Sequence, residues 1–289
     1  MILALDIGGT KLSAAWIQDQ ECIARKQVPM QHDEAGFLAA LREVTQSDYG
    51  IDRVAVAATG YLREGRVWSV NLNTIPFWKG FPLGQVLEQQ FNCPVIMLND
   101  AQAAAWGEYL PRREQCSDLL FITLSTGVGG GLICDGKLRI GPQGLAGHIG
   151  HATVSVAPLD PNAGKCGCGR TGCLEHIASG TALARQATAM FNRRVDSREL
   201  FALAAGDPQA NAILDNAAAA VAQAIADTLM VVDIQEVVLG GSVGLAEGMI
   251  ERVGRALQAF PALFSLPVTA ALGGGDAGLL GAADWARHH

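Results

Sequence analysis

Cys166, Cys168 and Cys173 fall within eight residues and form the densest concentration of soft donors in the chain. A Cys-x-Cys pair followed by four residues and a third Cys can close around one ion, and Gly167, Gly169 and Gly172 give the loop the freedom to do so. A closed tetrahedral site needs a fourth donor, and His148 and His151 lie just upstream. The alternative is an inert thiol cluster. In a reducing compartment, clustered cysteines favour a metal over a disulfide. Cys22, Cys93, Cys116 and Cys134 are dispersed among apolar residues and are expected to lie reduced in the interior.

A second chemistry is suggested by glycine. Phosphate oxygens are bound well by backbone N–H groups that can approach closely, and glycine permits that approach. Three segments qualify: Asp6-Ile7-Gly8-Gly9-Thr10-Lys11, Ser125-Thr126-Gly127-Val128-Gly129-Gly130-Gly131, and Leu239-Gly240-Gly241-Ser242. Each alone could be only a tight turn; all three follow apolar, strand-like runs. None has Walker A spacing, and no dinucleotide fingerprint opens a helix in a first βαβ unit. As phosphate loops, they would use Asp6 to hold Mg²⁺ through water, and Thr10, Thr126 and neighbouring amides to hold phosphate oxygens.

Asp100 is the third element. It follows Asn99 at the end of an apolar run and opens an alanine-rich segment, which suits a helix N-cap. The same position suits catalysis, because strand ends in α/β folds line ligand crevices. A carboxylate there can orient a hydroxyl and accept its proton.

The elements that must position these groups follow from pattern. Strands are predicted at 2–7, 12–18, 21–28, 54–58 and 95–99, with helices at 34–46, 83–91 and 100–110. A strand at 119–125, a glycine-rich turn through Gly131 and a strand at 132–134 repeat the opening unit; 141–172 reads as irregular. Helices, including one at 211–232, a strand at 236–239, a strand near 268–272 and a last helix from about 276 follow. The repeated strand–glycine turn–strand predicts two related α/β lobes with a cleft between them. The expected boundaries are 1–112, joined by 276–289, and 113–275.

The 289 residues are 49% hydrophobic and 17% charged, enough for a sizeable core in two lobes. No run approaches the length of a membrane span, and the N-terminus reads as a strand rather than a signal peptide. A net charge of −7 without a basic block argues against nucleic acid or anionic lipid as partner. A cytoplasmic protein is expected.

Together, Asp6-Ile-Gly-Gly-Thr-Lys11, Leu98-Asn-Asp100, Ser125-Thr-Gly-Val-Gly-Gly-Gly131 and Cys166-Gly-Cys-Gly-Arg-Thr-Gly-Cys-Leu-Glu175 resemble the ROK family of bacterial sugar kinases and related repressors. The match runs in order over nearly the whole chain. It implies a two-lobed actin/hexokinase-like (ribonuclease H-like) α/β ATPase fold, with ATP and sugar in the interlobe cleft. It implies Asp100 as the base, Asn99 and Glu175 on sugar hydroxyls, and His151 of Gly150-His151 as the fourth ligand of a structural Zn²⁺. The zinc would then pin His148, His151 and Glu175 at the sugar. Thr59, Gly60 and an asparagine, Asn73 in preference to Asn71, complete the expected sugar pocket; either asparagine could instead serve a turn. Gly8, Gly9, Thr10, Lys11, Thr126, Gly127, Gly129, Gly240 and Gly241 form the expected nucleotide site. The family is commonly homodimeric.

Two departures stand out. The family usually has Ala-Gly-Glu-hydrophobic-Gly-His, whereas this chain has Ala146-Gly147-His148-Ile149-Gly150-His151. His148 in place of glutamate is similar to the pattern of bacterial N-acetylmannosamine kinases and implies that sugar as acceptor. The segment 152–165 is longer than the family pattern and could reshape the cleft rim or a subunit contact. Alternatives are a kinase for glucose or N-acetylglucosamine, a non-catalytic sugar-binding protein, and a repressor. The last would need a DNA reader, for which the early Asp6 motif leaves no room.

Overall fold

The computed structural model describes residues 1–19, 21–71, 74–160 and 163–289. The chain divides into two compact units: Met1–Pro111 with Leu138–Ala146 and Gly275–His289, and Arg112–Lys137 with Gly147–Gly274.

The first unit contains β1 (Ile2–Ile7), β2 (Lys11–Gln18), β3 (Glu21–Pro29), α1 (Glu34–Thr45), β4 (Arg53–Ala58), β5 (Tyr61–Arg63), β6 (Arg66–Trp68), β7 (Lys79–Phe81), α2 (Leu83–Phe91), β8 (Val95–Asn99) and α3 (Asp100–Tyr109). Its main sheet has the order β3-β2-β1-β4-β8. β1 and β2 form an antiparallel hairpin with Ile7 opposite Leu12, while β1, β4 and β8 run parallel. Alternation assigns the faces. Leu3, Leu5, Ile7, Val54 and Val56 join Trp16, Phe37, Leu41 and Trp78 in a buried core. The small Ala4, Ala55 and Ala57 alternate with them and are fully buried on the opposite face.

The second unit contains β9 (Leu119–Leu124), β10 (Val128–Cys134), α4 (Glu175–Ala178), α5 (Gly180–Phe191), α6 (Ser197–Leu203), α7 (Pro208–Val232), β12 (Glu236–Gly240), α8 (Gly241–Gly244), α9 (Met249–Leu257) and β13 (Val268–Ala270); β11 (Lys137–Arg139) lies at the unit boundary. Strands β10-β9-β12-β13 lie side by side in that order. β9 and β10 are antiparallel, and β9, β12 and β13 are parallel. This repeats the pattern of β2-β1-β4-β8, so the internal repeat read in the sequence is a repeat of topology. Residues from β9, α5, α7, β12 and α9 form a separate core. The 25-residue α7 starts at Pro208 behind Asp207, whose carboxylate accepts from Gln209 and Ala210 N–H.

The last helix, α10 (Ala277–His288), returns to the first unit and packs on α3, β1 and β4. Its approach to α3 requires glycine. A Cβ at Gly281 would sit 2.0 Å from Ala103 O, and one at Gly107 would sit 2.3 Å from Ala277 O.

Several expectations need correction. Gly129, Gly130 and Gly131 are not in a turn: they lie in β10, opposite Thr123, Ile122 and Phe121. The cause is packing of the following chain on that strand, since a Cβ at Gly130 would lie 2.8 Å from Gly147 O. Cys22 is exposed, because β3 is an edge strand with a largely uncovered face; Cys93 and Cys134 are half-buried, and only Cys116 of these four is buried. The helix beginning at Asp100 is capped by Asn99, not by Asp100. The small sheet β5-β6-β7 was not anticipated. Among the described residues, no helix is long and apolar enough to cross a membrane.

Candidate active site and metal centre

In the first unit, the parallel sheet brings three of the singled-out segments to one edge. β1 ends at Ile7 before Gly8-Gly9, β4 ends at Ala58 before Thr59-Gly60, and β8 ends at Asn99 before Asp100; Ile7 pairs with Ala58 and Ala58 with Asn99. Thr59 N–H donates to Ile7 O at 3.0 Å, and Gly8 N–H to Lys11 O at 3.0 Å. Gly60 has φ +90°, and a Cβ there would lie 2.2 Å from Trp68 O. Thr10 is exposed, and Asp6, Gly8, Gly9 and Lys11 are half-buried. Asn73 lies outside the described residues.

Asn99 links two of these segments. It is 6% exposed. Its Oδ1 accepts from Ala101 N–H (3.0 Å) and Gln102 N–H (3.1 Å), and its Nδ2 donates to Gly60 O (2.7 Å) and Asp100 Oδ1 (2.9 Å). Its amide is therefore engaged within the protein at both ends, and it orients Asp100. Ala101 N–H also donates to Asp100 Oδ1 at 2.8 Å, so two donors fix one oxygen of the carboxylate.

Burial, and then the charge of Asp6, push the Asp100 carboxyl up to about 6, against hydrogen bonds from Ala101 and Asn99 that favour the anion. Asp6 is also raised, chiefly by burial, with Lys11 and Arg25 opposing. A carboxyl held near 6 is ionised at neutral pH yet basic enough to take a proton from a hydroxyl.

The second unit places its own loops at equivalent strand ends. The turn after β9 comprises Ser125, Thr126 and Gly127, closed by Ser125 N–H to Gly127 O at 2.9 Å. The end of β12 brings Gly240 and Gly241 beside it, with Ser125 Oγ and Ser242 Oγ 3.4 Å apart. The N-terminus of α5 holds this turn: Gly180 N–H donates to Ser125 O at 2.7 Å, and Thr181 Oγ1 to Thr126 O at 2.9 Å. Sequence reading missed Thr181, whose only signal was Ser179 as N-cap of an amphipathic run.

His148 is half-buried and precedes the 3₁₀ turn Ile149–His151. That turn lies against β10, since a Cβ at Gly150 would be 2.1 Å from Val128 O. Glu175 starts α4, and its Oε2 accepts from Val128 N–H at 3.0 Å. One carboxylate oxygen is thus fixed at the tip of the same loop that carries Thr126.

His151, Cys166, Cys168 and Cys173 converge, with one donor atom from each lying within 4.8 Å of the others. Cys166 Sγ and His151 Nδ1 are 3.6 Å apart, as are Cys168 Sγ and Cys173 Sγ. Tetrahedral ligands of zinc stand about 3.5–3.8 Å apart at its usual bond lengths, so these pairs fit its coordination edges. Of the two histidines left open by spacing, His151 joins the cysteines. The loop is preformed: Arg170 bonds His151 O (2.9 Å) and Thr153 Oγ1 (2.6 Å), and Cys166 N–H donates to Arg170 O (2.8 Å). Burial holds the Cys166 thiol high and pushes Cys173 up to about 12, so metal binding would displace protons.

The sequence profile of the ROK family matches residues 2–289. The chain belongs to the ROK family. A curated relative, the N-acetylmannosamine kinase of Vibrio cholerae serotype O1, is 46% identical over 285 residues, covering 97% of each chain. Among solved structures, the ROK hexokinase from Thermus thermophilus shares 34% identity at a TM-score of 0.79, over 99% of this chain and 98% of that one. A ROK family glucokinase from Streptomyces griseus, in complex with glucose and AMPPNP, shares 31% identity at a TM-score of 0.82, over 100% of this chain and 99% of that one. The fold is the actin/hexokinase-like α/β fold expected from the motifs.

Proposed function

We propose that this ROK protein transfers the γ-phosphoryl group of ATP to the 6-hydroxyl of N-acetyl-D-mannosamine. Asp100 carries the reading: a carboxylate at a parallel strand end, oriented by Asn99 and raised to about 6. The full-length similarity to an N-acetylmannosamine kinase supports the acceptor, and His148, standing where the family usually has glutamate, is the residue assigned to its recognition.

In this reading Asp100 accepts the hydroxyl proton as the sugar oxygen bonds to the γ-phosphorus and the bond to the β–γ bridging oxygen breaks, releasing ADP. Thr59, Gly60, Asn73, His148 and Glu175 hold the sugar, and Asn99 serves by aiming Asp100 and Gly60. Gly8, Gly9, Thr10 and Lys11, with Thr126, Gly127, Gly129, Gly240 and Gly241, hold the nucleotide. Mg²⁺ bound with ATP would neutralise phosphate charge, and Asp6 would hold it through water. His151, Cys166, Cys168 and Cys173 would bind Zn²⁺ as a structural ion that fixes the turn carrying Glu175. With His151 Nδ1 beside Cys166 Sγ, Nε2 would take a sugar hydroxyl. A homodimer in the cytoplasm is the setting we propose.

ADP release with Mg-ATP tests the acceptor across N-acetylmannosamine, N-acetylglucosamine, glucose and mannose. N-acetylmannosamine should show the highest kcat/KM. Preference for glucose, the sugar bound by the Streptomyces griseus relative, would keep the kinase and reject the role given to His148.

A further inference from the structure

Leu159 and Asp160, within the segment 152–165 that the motifs leave unexplained, are tied to the turn that carries Glu175 by two neighbours on α5. Helix α4 has only four residues, and the amides of Gly180 and Thr181 bond to Ser125 O and Thr126 O, so His176 O and Ile177 O lack the donors a longer helix would supply. Arg185 and Gln186 provide them. Arg185 donates to His176 O at 2.7 Å, and Gln186 Nε2 donates to Ile177 O at 2.9 Å. The same two side chains bind the segment: Arg185 Nε pairs with Asp160 Oδ2 at 3.0 Å, and Gln186 Oε1 accepts Leu159 N–H at 2.9 Å. Asp160 and Gln186 are buried, with Asp160 at 4% exposure. The His176 ring closes the arrangement from the other side through Ala163 O. Along α7, Asn216 holds Ala157 O at 2.9 Å and Gln223 holds Ser155 N–H at 2.9 Å.

We infer that Arg185 is a positioning residue for Glu175, and that the Asp160–Arg185 pair forms a second clamp on α4, separate from the Cys₃His cluster. The cluster fixes the chain entering α4 at Cys173; Arg185 and Gln186 fix the carbonyls leaving it. Asp160 neutralises and aims a guanidinium whose other arm reaches His176 O. Glu175 is thereby restrained on both sides, and 155–160 is the strap that completes the restraint. The assignment to sugar binding rests on the kinase reading above, while the clamp itself does not.

The test uses the full-length, metal-replete protein and the variants Arg185→Met, Arg185→Lys and Asp160→Asn. Two readouts separate the clamp from the activity. Amide hydrogen exchange over 176–179 should speed up by about tenfold in Arg185→Met, with bound metal unchanged. KM for N-acetylmannosamine should rise by about tenfold while kcat and KM for ATP stay within about twofold. Arg185→Lys, which keeps the charge but cannot bridge both acceptors, should fall between wild type and Arg185→Met. Unchanged exchange in a folded Arg185→Met would overturn the clamp. Faster exchange with an unaltered sugar KM would overturn the positioning role. A wild-type protein that phosphorylates no hexose would remove the kinase reading and with it the role at the sugar, and exchange would then decide the clamp alone.

Discussion

Asp100 is chemically useful for the same reason that it weakens the fold. Burial and the nearby Asp6 favour its protonated form, raising it to about 6 from an ordinary 3.8. Below that ordinary value the group is protonated in both folded and unfolded chains and contributes no difference. Above about 6 it is ionised in both, and the folded state carries the penalty in full. A difference of this size corresponds to about 1–3 kcal/mol. Asp100→Asn is therefore expected to raise the Tm at neutral and alkaline pH, with the gain fading as pH falls from about 6 towards 3.8. The same variant should lose about 10²–10⁴-fold in kcat while keeping sugar affinity. In the wild type, kcat should fall with acid through the protonation of Asp100. Thermal melts and rate profiles over one pH series check all three; full turnover by the Asp100→Asn variant would remove Asp100 from the chemistry.

At the scale of elements, strand ends carry the account. β1, β4, β8, β9 and β12 were legible because their apolar runs stop at Gly8, Thr59, Asn99, Ser125 and Gly240. The boundary of β10 was misplaced because consecutive glycines look like a turn, whereas Gly130 is there to admit the chain at Gly147. The Asn99 network was half-visible: the Asn-Asp pair announced a helix start, but only the fold shows the bond to Gly60 O. The strap over 155–160 was not legible at all, because its partners Arg185, Gln186, Asn216 and Gln223 are polar residues on helices, where solvent is the default expectation. The Cys₃His loop is held by backbone bonds at Cys166, Gly172 and Leu174 and by the Arg170 side chain, with one isolated bridge, Thr153 to Cys173, in place of a regular ladder. Chelation is expected to raise the sugar KM by about tenfold or more and to leave KM for ATP less affected. A verifiably metal-free protein with normal sugar affinity would contradict this.

At the scale of the molecule, one topology is used twice, and in each copy the loops singled out in the sequence follow the ends of strands in the main sheet. Asp6, Thr59 and Asp100 lie at strand ends of the first copy, and Thr126 and Gly241 at those of the second, which also carries Glu175 and the Cys₃His cluster. Each has its own hydrophobic core. The duplication was readable from the repeated strand–glycine turn–strand. Segment 138–146 belongs with the first unit, where Gln102 fastens Ala146 O from a buried helix position, a tie that no local pattern in the sequence announces.

The most direct test of the central claim is to incubate the purified protein with Mg-ATP and N-acetylmannosamine and to identify the product by NMR and mass spectrometry. The account predicts N-acetylmannosamine 6-phosphate, formed in step with ADP. A phosphate on another hydroxyl, or ADP without any sugar phosphate, would contradict it.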